Sequence, residues 1–125
     1  MSIGITKMGH VNVTVPHALE DAARHFYGVV LGLHQTPKPE GTRQNSGAWY
    51  QLGAIQLHLS VEDDVKNEAS DRHVCYQIED VDAAESDLRN SGVQIIPDPR
   101  PVAGVRRFYI RDPGGNLIEL AQVTG

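Results

Sequence analysis

Disulfides are excluded from the start, because the sequence of 125 residues holds a single cysteine, Cys75, and with it no Cys-x-x-Cys redox or metal motif. A reducing, cytoplasmic setting is the matching expectation. Basic residues are outnumbered, 11 Lys and Arg against 16 Asp and Glu for a formal net charge of −5, so no nucleic-acid partner held by clustered cations is expected. Long apolar runs are missing as well. The longest, such as Val29 to Leu31, fall far short of a membrane span, and the opening MSIGITKMGH lacks the apolar stretch of a secretory signal. What is present is a 40% hydrophobic chain of one domain's length, enough to build a core.

Strict alternation marks the first element. In MGHVNVTV, Val11, Val13 and Val15 face one way while His10, Asn12 and Thr14 face the other, which predicts a strand ended by Pro16. ALEDAARHFYGVVLGL then places Leu19, Ala22, Ala23, Phe26, Tyr27 and Val30 at helical spacing. TPKPEGTRQNSG reads as a loop and a solvated one, followed by strands AWYQL and IQLHLSV around a turn at Gly53. After a polar connector, Glu62 to Arg72, with too few apolar residues to pack by itself, the pattern begins again. HVCYQI predicts a strand, and DVDAAESDLRNSG a helix with Asp82 and Glu85 spaced as a capping box. VQII, VRRFYI and NLIELAQV predict three more strands, the last two joined by the turn RDPGGN.

The two halves are thus each βαβββ, and the duplication assigns counterparts. GHVNVTV laid on RHVCYQI matches His10 with His73, and GAIQLHLS laid on GGNLIELA matches His58 with Glu119 at nearly the same offset. WYQLG on FYIRDPGG matches Tyr50 with Tyr109. A carboxylate set among LIELA is costly to bury unless it is paired or coordinated. Three imidazoles and one carboxylate at repeat-equivalent positions, brought to one point by a pseudo-twofold axis, suit Zn, Fe, Ni, Co or Mn, with each histidine binding as a neutral ligand. His17, His25 and His34 have no repeat counterpart and read as structural.

With these residues on the page, the sequence resembles the vicinal oxygen chelate superfamily of glyoxalases, bleomycin resistance proteins and extradiol dioxygenases. FY, LGL and DPGGNLIEL are the most telling pieces, and the resemblance spans essentially the whole chain. It implies an α+β fold of one glyoxalase-like domain over 1–125, with modules at about 6–62 and 71–125. In it two βαβββ modules form a cup-shaped mixed sheet around a central divalent metal, helices lie outside, and a homodimer acts on a small-molecule substrate. By position it makes His10, His73 and Glu119 metal ligands. His58 departs from the pattern: glyoxalase I would carry Glu there, epimerases Gln, and the fosfomycin-modifying transferases no ligand.

Two chemistries stay open at this point. A six-coordinate ion bound by His10, His58, His73 and Glu119 keeps two positions for a bidentate enediolate or hydroxyketone, which favours lyase or isomerase chemistry with Glu119 or His58 moving the proton. With His58 off the ion, two histidines and one carboxylate leave three positions, room for a catecholate and dioxygen. A metal-free drug-binding protein is the third reading. Arg106 or Arg107, adjacent on one strand so that at most one points inward, is a candidate clamp for an anionic group, and Trp49 a candidate pocket wall. Cys75 reads as a small, inert core residue.

Overall fold

The computed structural model describes residues 2–123. It divides into two units, Met1–Asp63 and Asp64–Gly125. In the first, β1 (His10–Val15) is followed by a 3-10 turn at His17–Leu19, helix α1 (Glu20–His25) and a π-helical turn at Phe26–Val30. Strands β2 (His34–Thr36), β3 (Ala48–Leu52) and β4 (Ile55–Val61) complete the unit. The sheet order is β1-β4-β3-β2, with β1 parallel to β4 and the other pairs antiparallel. In the second unit β5 (His73–Gln77), α2 (Val81–Asn90), β6 (Ile96–Pro97), β7 (Val105–Arg111) and β8 (Leu117–Val123) repeat the plan in the order β5-β8-β7-β6. The fold is α+β, two βαβββ modules each with an open four-stranded mixed sheet. Among the described residues no helix is long and apolar enough to cross a membrane.

Alternation decides which face of each sheet is apolar. Val15, Tyr50, Leu57 and Leu59 are buried with Ala23, Phe26 and Tyr27 of the helical segment, and the Tyr27 and Tyr50 rings lie 6.1 Å apart. Phe108, Ile110, Ile118 and Leu120 are buried in the second unit with Val81 and Leu88 of α2. The opposite faces are left for polar side chains.

Register makes the duplication concrete. Asn12 pairs with His58 across β1 and β4 as Cys75 pairs with Glu119 across β5 and β8, so His10 and His73 occupy the same place two residues earlier. Trp49 lies opposite His58, and Tyr109 opposite Glu119. This corrects the sequence match of Tyr50 with Tyr109: Tyr50 points to the fully buried face, and pleat parity makes Trp49 the counterpart.

Two further expectations change. The N-cap of α2 is Asp80, whose side chain accepts from Ala83 N at 3.0 Å, rather than Asp82 of the supposed capping box; the helix has already begun at Val81. Asp82 instead faces Arg106. The polar connector is not free of packing either. Asn67 is buried and donates its amide to the Gly114 carbonyl at 3.2 Å, docking the 3-10 turn Asn67–Ala69 against the β7–β8 turn. That turn is held from within by buried Asp112, which accepts from Gly114 N, Asn116 N and Asn116 Nδ2.

Candidate functional site

On the polar face of the first sheet, side chains of β3 and β4 form a relay of amides. Gln51 Nε2 donates to the Gly53 carbonyl at 2.8 Å, so its Oε1 is the acceptor for Gln56 Nε2 at 3.0 Å. Gln56 Oε1 in turn faces His58 Nε2 at 2.9 Å. An amide oxygen accepts only, so His58 carries its proton on Nε2 and its Nδ1 holds the lone pair. The imidazole is packed on both faces, by the Trp49 indole at 3.9 Å and 3° and by the His10 ring at 4.0 Å and 15°. Burial, then the charges of His10 and Lys38, push the His58 pKa down from its usual value, which keeps the ring neutral at pH 7.

In the second unit Glu119 is 8% exposed and collects four neighbours. His73 Nε2 lies 3.2 Å from Oε1, Tyr109 donates its hydroxyl to Oε1 at 3.3 Å, Cys75 donates to Oε2 at 3.4 Å, and Arg107 Nη1 stands 3.6 Å from Oε2. Burial and then the Glu119 charge raise the Cys75 thiol to about 11. Cys75 is therefore an unreactive hydrogen-bond donor, exposed rather than the core residue expected. Arg107 is fixed by Asp98 at 2.9 Å and the Arg100 carbonyl at 2.8 Å, whereas Arg106 makes a two-pronged pair with Asp82 of α2. The two neighbouring arginines point to opposite faces, and Arg107 is the one beside Glu119.

Do these residues suit a divalent metal? His73 Nδ1 meets the Asp71 carbonyl at 2.9 Å, which makes it the donor and leaves the Nε2 lone pair toward the Glu119 carboxylate. Two acceptors 3.2 Å apart are stable only with a proton or a cation between them, and a histidine oriented through its other nitrogen by a carbonyl is the usual second sphere of a metal ligand. The pair fits a metal. His10 and His58 together do not: a metal lies in the plane of each imidazole that binds it, and two nearly parallel planes about 4 Å apart share no point at bonding distance. Among the described residues, no group of three or more His, Cys, Asp or Glu is gathered to hold an ion.

A family model for the Glyoxalase/Bleomycin resistance protein/Dioxygenase superfamily matches residues 7–120. The chain belongs to this superfamily. Among solved structures it is similar to a Bacillus anthracis protein assigned to the glyoxalase family, with 33% identity over 99% of this chain and 100% of that one and a TM-score of 0.86. Two others share the superfamily fold at lower identity. TnmS3, an antibiotic binding protein from Streptomyces sp. CB03234, is 20% identical over 98% and 100% of the two chains with a TM-score of 0.77. A lactoylglutathione lyase from Agrobacterium tumefaciens is 22% identical over 95% of both with a TM-score of 0.72. No curated protein matches the sequence. The superfamily's description names enzymes, glyoxalase and dioxygenase, together with the bleomycin resistance protein.

Gln51 and Gln56 are the residues that sequence reasoning passed over. Gln56 had a usable signal, since it lies two residues before His58 and so on the same strand face. For Lys38 and Arg43, the basic residues of TPKPEGTR, substrate contact is the lesser sequence reading beside a solvated loop. They sit in the supposedly solvated loop, which folds back so that Lys38, Arg43 and Ser46 line a pocket of about 290 Å³ with Trp49, His58 and Asn12.

Proposed function

We propose that this chain is a divalent-metal-dependent, glyoxalase-like lyase or isomerase that moves a proton on a small oxygenated substrate. The observation that carries the reading is the Gln51–Gln56–His58 relay, which delivers a neutral, buried imidazole with one fixed lone pair, the form a general base requires. By the family resemblance His10, His73 and Glu119 are the metal ligands in this reading, and Trp49 is a wall of the substrate pocket. A bound ion supplies a Lewis acid for a pair of vicinal substrate oxygens. His58 takes the proton from the carbon beside the carbonyl through Nδ1 while Gln56 holds Nε2, and Trp49 and His10 keep the ring from turning. Arg107 and Tyr109 hold the Glu119 carboxylate in place. In this reading the chain acts as a homodimer, as the family resemblance implies, in the reducing cytoplasm that its single cysteine suits.

The test is solvent deuterium exchange into a small α-hydroxyketone, followed by proton NMR with Ni, Co, Zn, Fe(II) or Mn supplied. Metal-dependent exchange above the solution rate is expected, and none with any of the five metals contradicts the reading. One observation favours a second chemistry. With His58 stacked off the ion, the remaining donors are two histidines and a carboxylate, the set used by Fe(II) oxygenases. Oxygen uptake with a catechol and Fe(II), without ketone exchange, assigns the chain to that reaction instead.

A further inference from the structure

We infer that the pocket beside His58 in the first unit takes a small molecule through an oxyanion, a carboxylate or phosphate oxygen, held by Lys38 and Arg43. This rests on the reading of His58 as a substrate-facing base and names the class of substrate. The chain is acidic overall, yet no acidic side chain is among the residues lining this pocket, while Lys38 and Arg43 both are. The loop supplies the reason Lys38 stays. Its ammonium donates to the carbonyls of Arg43 and Ser46, the second at 2.6 Å, so two of its three donors tie the loop into a ring around the charge and the third is uncommitted among the described residues. No carboxylate pairs with Lys38 or Arg43 among the described residues, in contrast to Arg24, Arg89, Arg106 and Arg107.

Neutral donors complete the lining. Ser60 donates to Asn12 Oδ1 at 2.8 Å, which leaves the Asn12 amide nitrogen as a donor. Two cations, the Asn12 amide donor and an indole wall favour a ligand with one charged oxygen group and a small flat or apolar remainder. At about 290 Å³ the pocket suits a metabolite rather than a polymer.

Trp49 is the only tryptophan in the chain and lines the pocket, so its fluorescence reads occupancy directly. Inorganic phosphate and benzoate are titrated separately into the full chain in EDTA, at constant ionic strength set with chloride. A saturable change is expected with one or both, and which one responds separates a phosphate from a carboxylate ligand. Arg43→Gln weakens it about tenfold, the loss of one charge-assisted contact. Lys38→Met weakens it at least as much, and because Lys38 also holds the loop, the exposed Arg43 is the deciding variant. No saturable response to either anion, or equal affinity in Arg43→Gln, overturns the proposal. Because metal is excluded, such a failure leaves the His73–Glu119 reading standing.

Discussion

Gly47→Ala will destabilise the protein by roughly 3–4 kcal/mol, combining left-handed backbone strain with an overpacked contact. Gly47 has φ +74, and a Cβ there falls far inside van der Waals contact with the Leu59 carbonyl oxygen, with the Leu59 carbonyl carbon at 3.4 Å. Neither neighbour can move aside, since Leu59 is buried in β4 and paired to Ala48 of β3. Displacing residue 47 also breaks its N–H to Glu20 Oε2 at 2.7 Å. Glu20 is 8% exposed, and burial alone would raise its pKa. The Gly47 N–H and the Arg24 guanidinium outweigh burial and hold it below the usual value, so losing one of them strands a buried charge. For a chain of this size the melting temperature should fall by about 10–15 °C. Gly41→Ala is the control: φ is +89 but a Cβ meets nothing within 4 Å, so only the backbone strain remains. Equal melting temperatures for the two variants would show that the Leu59 contact is not restrictive.

For the proposed exchange reaction, His58→Ala is expected to lower kcat by about 10²–10⁴, the range for removal of a general base. In the proposed reading the stacked ring is off the ion, so the variant's metal content is expected to stay that of the wild type. A variant that loses metal and activity together would make His58 a ligand. Gln56→Met removes the acceptor that fixes the proton on Nε2 while leaving the Trp49 and His10 faces in place. It should lower kcat about tenfold with KM unchanged, as loss of a positioning contact does. A rise in KM alone would place Gln56 in substrate binding instead.

How much of this was legible in the sequence depends on whether a feature is periodic. Alternation in HVNVTV and IQLHLSV put His10 and His58 on a polar face, and the self-match of the halves paired them with His73 and Glu119; the register of β1 on β4 and β5 on β8 has the same spacing. The Trp49 counterpart was missed by one residue because WY and FY align as letters, whereas the pleat assigns faces by parity. The stacking of His10 on His58, the return of Lys38 to the sheet and the docking of Asn67 are contacts between segments distant in sequence, with no local pattern to announce them. The α2 cap was misplaced for a simpler reason: Asp80 and Asp82 are both plausible caps, and the side-chain bond to Ala83 N distinguishes them.

The central claim is that this superfamily member binds a divalent metal through His73 and Glu119. Equilibrium dialysis against Co, Ni or Zn, with bound metal measured by inductively coupled plasma mass spectrometry, tests it most directly. The account predicts saturable uptake of one ion per chain, weakened at least about 100-fold in His73→Ala and in Glu119→Gln and unchanged in His58→Ala. No saturable uptake by the wild type, or equal uptake in the folded His73→Ala and Glu119→Gln variants, would contradict it.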